Sequence, residues 1–178
     1  IYHHAIGVAL VAEQIAILTE KVAPTRAYTA GLLHDIGKVV LDQYVTGVYP
    51  LFYRNLMENN HDIIAVERKL LGTDHIHVGH TLAKQWDFPE PLINCIRHHH
   101  HPDPKAPNNE LAAIVYLADL LMSRFNSGLE IECHDTRRLT RQMATLGLSE
   151  DRFAELVDLI PDAALSPAEE SEEGPEAA

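Results

Sequence analysis

The chain has 178 residues, the length of one ordinary domain, and 46% of them are hydrophobic, which is too many for a disordered protein. Its formal net charge of −12 argues against a nucleic-acid polymer or an anionic membrane as partner, because both bind basic surfaces. No apolar run approaches the roughly 18 residues of a membrane span. The two cysteines, Cys95 and Cys133, are too few for a disulfide framework and predict a reducing, cytoplasmic environment with a core thiol and a surface thiol.

The two ends of the chain differ in character. The chain begins at Ile1 without a signal-peptide pattern, so we expect a piece of a longer protein with a further domain upstream. At the other end, residues 166–178 contain five glutamates and no basic or large apolar residue. This composition predicts a solvated, disordered acidic tail after a folded domain at 1–165.

The folded part is predicted to be all-α, a compact bundle of helices joined by short loops. A repeated apolar spacing of three and four residues predicts the first helix, from Tyr2 to about Glu20. Proline, aspartate, asparagine and serine at helix starts, and glycine at helix ends, mark most of the others. Their expected ranges are 25–34 after Pro24, 37–45, 50–58, 62–72, 74–85, 89–99, 109–125, 135–147 and a tenth helix from Ser149.

Twelve histidines are the unusual feature of the composition. Their positions around the helix axis divide them into those that face the core and those that face solvent. His4 continues the apolar stripe of Val8 and Val11, and His34 is in phase with the small residues Ala27 and Ala30. The same test places five imidazoles and two carboxylates on buried faces: His4, His34, Asp35, His75, His99, His100 and Asp119. It places His3, His61, His77, His98, His101 and His134 in solvent and leaves His80 undecided between the flank and a cleft.

A single inward histidine is more often a satisfied core residue than a ligand. Seven inward imidazoles and carboxylates are different, because an ionised carboxylate on a buried face is costly unless it is paired or bound to a metal. Imidazole with carboxylate suits iron, manganese, nickel or zinc better than calcium or magnesium. We therefore expect a divalent transition-metal site between helices of the bundle.

One motif allows a comparison with a known family. The segment AGLLHDIGK at 30–38 resembles the signature of the HD-domain superfamily of metal-dependent phosphohydrolases. The ligand order of that family, a His, the His-Asp pair, further His residues and a distal Asp, is matched here by the seven inward residues. The segments LGTDHIHVGHTLAKQWDFPE and IRHHHHP are similar to those of the HDOD subgroup. The resemblance covers about residues 2–125.

The sequence also departs from its relatives. The helical half that normally precedes the His4 helix in HDOD domains does not lie within these 178 residues, and we expect it upstream in the longer protein. The GYP motif of HD-GYP cyclic-di-GMP phosphodiesterases is missing after the paired histidines, and GVYP at 47–50 lies too early to replace it. A glutamate that can be a ligand in those relatives would fall before Ile1.

The resemblance implies a phosphohydrolase that uses two metal ions. Asp35 would bridge the ions and act in catalysis; His4, His34 and Asp119 would complete one shell, and His75, His99 and His100 the other. A bridging water activated by the metals would attack the phosphoester of a nucleotide or cyclic dinucleotide. Lys38 is a candidate for catalysis and for substrate binding, or else an exposed lysine, and Arg97 is a second candidate phosphate contact. Glu67 is either an acceptor for a ligand imidazole N–H or an exposed partner of Lys or Arg.

Two other functions remain open at this point. Many HDOD domains have lost metal ligands and act in signalling, so the chain could be a non-catalytic module that keeps a metal or ligand pocket for regulation. A different metal chemistry on the same scaffold, such as di-iron oxygenation, is the third reading. In the first two cases the expected partner is a small phosphorylated ligand.

Overall fold

The computed structural model describes residues 2–58, 62–127 and 136–159, and these residues form helices and short connections without a strand. The all-α prediction is confirmed. The acidic segment 166–178, Cys133, His61 and His134 lie outside the described residues. The helices are α1 (Tyr2–Thr19), α2 (Pro24–Leu33), α3 (Ile36–Val45), α4 (Tyr49–Glu58), α5 (Ile63–Leu71), α6 (His75–Gln85), α7 (Glu90–His98), α8 (Glu110–Ser127), α9 (Thr136–Leu146) and α10 (Glu150–Leu159).

The helix ends follow the local chemistry of the sequence. The Asp62 carboxylate accepts a hydrogen bond from the Ala65 backbone N–H at 3.0 Å, and Asp74 accepts one from His77 N–H at 2.8 Å. Both are N-caps, which satisfy backbone donors in the first turn. Gly72 ends α5 with a φ of +73°, the left-handed conformation that glycine adopts without strain. The predicted boundaries therefore fall within a few residues of those observed.

The core is built around α1, which packs against α2 and α8. The predicted stripe residues Val8, Val11 and Ile15 are fully buried, as are Ile114 and Leu117 of α8. Burying each of these side chains contributes about 1.5–3 kcal/mol to folding. The core thus holds α1 and α8 together and fixes the positions of the polar residues on the same two helices.

Glycines allow two close helix contacts beside the core. A Cβ on Gly31 would lie 2.7 Å from the Cα of Ala9, so α2 lies directly on α1. A Cβ on Gly37 would lie 1.9 Å from the backbone oxygen of His75, and Gly79 of α6 faces the same contact. The approach of α3 to α6 brings Asp35, two residues before Gly37, beside His75.

Within residues 2–58, 62–127 and 136–159, every helix is too short or too polar to cross a membrane.

A glycine substitution tests the α3–α6 contact. Gly37→Ala should lower the free energy of unfolding by at least about 2 kcal/mol, because the added methyl group meets backbone atoms that cannot move aside. Gly47→Ala is the matched control: its Cβ would have nothing within 4 Å, so stability should change by less than about 1 kcal/mol. Urea denaturation of both variants measures the difference, and equal stability of the two would contradict the close contact.

Candidate metal centre

The structure brings the seven predicted residues together in two adjoining groups. Each residue offers one nitrogen or oxygen atom, and within a group these atoms all lie within 4.8 Å of one another. Such a cluster of histidine and aspartate side chains could hold a metal ion. One group contains Asp35, His75, His99 and His100, and the other contains His4, His34 and Asp119.

Two of the imidazoles lie at helix C-termini, where backbone carbonyls lack helical partners. His34 follows α2, and its Nδ1 lies 2.7 Å from the carbonyl oxygen of Gly31. His99 follows α7, and its Nδ1 lies 2.9 Å from the carbonyl oxygen of Ile96. A carbonyl can only accept, so Nδ1 must donate, and in the neutral ring Nε2 then carries the lone pair. Both rings therefore present a ligand nitrogen.

Glu67 orients the His75 ring through its Nδ1, as the backbone carbonyls do for His34 and His99. Its carboxylate lies 2.6 Å from His75 Nδ1 and also accepts the His75 backbone N–H at 2.9 Å. Glu67 is buried, so it is a partner of an imidazole and not of an exposed cation. His75 Nε2 then faces His100 Nε2 at 3.0 Å. A carboxylate behind a histidine is the arrangement that orients imidazole ligands in metal sites.

Asp35 lies at the centre of the cluster. It occupies the N-cap position of α3, but its side chain makes no capping hydrogen bond. Oδ1 is 3.6 Å from Nε2 of both His75 and His99, and Oδ2 is 3.3 Å from His34 Nε2. The Lys38 ammonium lies 2.5 Å from Oδ2. The Asp35 carboxylate therefore does not cap α3 and instead faces three imidazoles and the Lys38 ammonium.

The residues present fit a metal ion. Among the described residues, His34 Nε2, Asp35 Oδ1 and His99 Nε2 are buried atoms without a hydrogen-bond partner. Buried polar atoms are nearly always satisfied, so a group of such atoms that converge needs an explanation. Divalent cations in the two groups would satisfy these atoms, because Asp35 Oδ1 and His99 Nε2 belong to one group and His34 Nε2 to the other, and each nitrogen offers a lone pair when its ring is neutral.

The second group is more accessible. His4 Nε2 lies 2.9 Å from Asp119 Oδ1, and the two side chains are 23% and 19% exposed. The Ser123 hydroxyl lies 3.4 Å from the same oxygen, one helical turn along α8. The His4 ring centroid is 5.8 Å from that of His34, which places this pair at the edge of the Asp35 group.

The electrostatics favour a carboxylate that stays ionised. Burial raises the pKa of Asp35, but His34, His99 and Lys38 act against it and hold that pKa well below its usual value. Burial and the neighbouring His99 lower the pKa of His100 to about 2. The cluster therefore offers an anionic oxygen together with a neutral imidazole, the protonation states that metal ligands require.

The two residues predicted to contact phosphate have different positions. Lys38 joins the cluster through Asp35 and is not an exposed lysine. Arg97 lines a separate cleft, together with His80, that contains none of the seven cluster residues. The structure therefore does not bring Arg97 together with the cluster, and it places the undecided His80 outside it.

Sequence reasoning missed the groups that orient the rings. The carbonyls of Gly31 and Ile96 each precede a cluster histidine by three residues at a helix end. A histidine directly after a predicted helix is the signal that could have found them, since the last carbonyls of a helix need donors.

The protein is thus an all-helical domain with a buried cluster of histidine and aspartate side chains that could hold a metal ion. The chain belongs to the HDOD domain family, whose model matches residues 1–102. An uncharacterised protein from Treponema pallidum (strain Nichols) is 36% identical over 85 residues, which are 46% of this chain and 16% of that protein.

Solved structures share the fold. An HDOD domain protein of unknown function from Geobacter sulfurreducens is 28% identical with a TM-score of 0.70, and the match covers 92% of this chain and 59% of that one. A protein from Shewanella amazonensis SB2B, provisionally named a phosphohydrolase, is 22% identical with a TM-score of 0.70 over 92% of this chain and 60% of that one. A protein from Marinobacter aquaeolei VT8, provisionally named a signal transduction protein, is 25% identical with a TM-score of 0.69 over 93% and 38% of the two chains. The chain therefore spans about 60% or less of these relatives.

Removal of single side chains tests metal binding. His34→Ala and Asp35→Asn should each lower the affinity for divalent metal by at least about 100-fold, because each removes a ligand and not merely its support. His3→Ala, one residue from the cluster, should bind like the parent because His3 is exposed. Metal analysis of the purified variants and a manganese titration measure this. A parent chain that binds no metal, with variants indistinguishable from it, would refute the site.

The Lys38–Asp35 pair gives a second prediction. In protein treated with a chelator, Lys38→Met should cost about 3 kcal/mol of unfolding free energy, because it leaves a buried carboxylate without its cation. Saturating manganese should reduce that cost, since the bound ion supplies the missing charge. Lys38→Arg keeps the charge and should be milder in both conditions. If the cost of Lys38→Met is the same with and without metal, the ion does not lie beside Asp35.

Proposed function

We propose that this chain is a metal-dependent phosphohydrolase whose site is the His/Asp cluster, acting in the cytoplasm on a phosphoester of a nucleotide or cyclic dinucleotide. The observation that carries the proposal is the convergence of the buried, unpartnered His34 Nε2, Asp35 Oδ1 and His99 Nε2. Such atoms cost stability unless a cation binds them, so a purely structural role does not account for them.

The two groups of ligand atoms support two ions, of iron, manganese, nickel or zinc. His75, His99 and His100 would hold one ion, and His4, His34 and Asp119 the other. Asp35 lies between the groups, because its two oxygens face different imidazoles. When bound, a metal pair lowers the pKa of a coordinated water and neutralises charge that develops on phosphoryl oxygens.

The remaining residues position these groups and bind the substrate. Glu67 holds His75 in the tautomer whose Nε2 faces the cluster. Lys38 supplies a cation at the Asp35 edge of the cluster, where a phosphoryl oxygen of the substrate would be its second partner. This role agrees with the position of Lys38, which is 21% exposed and hence within reach of a ligand.

A cleft that shares Asp35 with the cluster supports a substrate with an apolar part. A cleft of about 470 Å³ is lined by Asp35 and Asp42 and otherwise by apolar side chains, among them Tyr2, Ile36 and Val39. Its volume is in the range of small-molecule sites. An aromatic ring and aliphatic side chains next to a phosphate-binding group suit a nucleobase.

A second candidate function is supported by the same lysine. Because Lys38 already neutralises part of the Asp35 charge, the cluster retains a favourable partner when no ion is bound. A domain in which a bound metal ion or ligand replaces the Lys38 ammonium as the partner of Asp35 could act as a regulatory module. A relative provisionally named a signal transduction protein shares the fold.

Turnover assays separate the two functions. With manganese, the chain should hydrolyse bis-p-nitrophenyl phosphate and at least one member of a panel of nucleotides and cyclic dinucleotides. Asp35→Asn should reduce the rate at least about 100-fold, whereas His3→Ala should not change it. If the metal-loaded chain binds a panel member but releases no product above the Asp35→Asn background, the regulatory module is the correct assignment and hydrolysis is wrong.

A further inference from the structure

Four histidines and two arginines line a cleft that the proposed function does not use. The cleft has a volume of about 850 Å³ and lies between the α5–α6 connection, α6 and the end of α7. None of the seven cluster residues lines it. Its basic and imidazole side chains are Arg68, His77, His80, Arg97, His98 and His101.

The negative charge that lines this cleft is already paired with a cation. Asp74 is the one carboxylate among the residues that line it. One oxygen of Asp74 caps α6 through the His77 N–H, and the other pairs with Arg68 at 2.6 Å. Arg97 has no hydrogen bond or ion pair with any residue that the structure describes. Its positive charge is therefore not balanced by a carboxylate in this part of the chain.

Other groups in the cleft also lack partners that an anion would provide. The Thr73 hydroxyl oxygen is buried and has no hydrogen-bond partner within the described part of the chain. His80 is half-buried, and burial followed by the nearby Lys84 and Arg97 charges lowers its pKa. In a chain of net charge −12, this cleft thus combines the positive charge of Arg97 with the Thr73 hydroxyl and the His80 ring, which can donate hydrogen bonds.

The imidazoles here are not arranged for a metal ion. Within the described residues, groups of three or more ligand atoms within 4.8 Å occur at the two halves of the cluster and not in this cleft. Donors spread around a cleft of about 850 Å³ fit a large anion better than a point cation. Arginine in particular binds phosphate through two parallel hydrogen bonds.

We propose that this cleft, which contains Thr73, His80 and Arg97, binds the phosphate group of a small molecule of nucleotide size. The site is separate from the cluster and does not depend on the proposed hydrolase activity. A phosphorylated effector that is not the substrate could therefore bind there.

The test uses adenosine 5′-monophosphate, inorganic phosphate and adenosine as probes of the full chain. We expect the two phosphates to bind and adenosine not to bind, by calorimetry. In nuclear magnetic resonance spectra the Thr73 amide and the Arg97 Nε–H should shift. Binding should weaken as salt is added, because the contact is electrostatic. Equal binding of adenosine, or no binding of either phosphate, would overturn the proposal.

Variants place the binding in the cleft. Arg97→Gln and His80→Gln should each weaken binding of adenosine monophosphate, Arg97→Gln by about tenfold for the loss of a charge-assisted hydrogen bond. Arg54→Gln is the matched control, since Arg54 is an exposed arginine outside the cleft. In protein freed of metal by a chelator, Asp35→Asn should leave this binding unchanged. If Asp35→Asn abolishes binding and Arg97→Gln does not, the nucleotide occupies the cluster instead. If zinc displaces the nucleotide by binding His80 and His98, the cleft is a metal site and the proposal fails.

Discussion

The buried carboxylate of Asp35 is the constraint on which the site depends. An anion with 5% of its surface exposed needs positive charge or protons from its neighbours. When their rings are neutral, His34 and His99 use their Nδ1–H groups on backbone carbonyls and turn Nε2 lone pairs inward. Lys38 compensates one oxygen. The other oxygen faces Nε2 of His75 and His99, and a cation between these three atoms would satisfy them.

The fold can hold this arrangement because the cluster is assembled at helix ends. His34 ends α2, Asp35 begins α3, His75 begins α6 and His99 ends α7. Backbone groups at helix ends need partners, so the side chains that satisfy them have fixed orientations. Asp35 is the exception: it occupies an N-cap position without capping, at a cost of about 1 kcal/mol relative to a functional cap. A residue that forgoes local stability for a position among imidazoles indicates a functional site.

The sequence was informative where local rules decide the outcome. Helix caps and phase depend on neighbouring residues, so the helices and the inward positions of residues such as His4 and Asp119 could be predicted. The directions of long side chains could not, because they depend on which helices pack together. Lys38 and Arg97 both had the chemistry of a phosphate contact, yet Lys38 pairs with Asp35 and Arg97 lines another cleft. The number of ions that the cluster binds is likewise not determined by the order of ligands along the chain.

The histidines on α6 and after α7 show how one pair of helices can serve two separate places. On α6, His75 faces the cluster, whereas His77 lies about 200° further round the axis and lines the outer cleft. His98 and His99 divide in the same way at the end of α7. Because the His99 ring is tied to the Ile96 carbonyl, a displacement of α7 would move its Nε2 relative to Asp35. A Cβ on Gly79 would meet both Ile96 of α7 and Gly37 of α3, so α6 lies close against both of the helices that carry the other ligands of the Asp35 group.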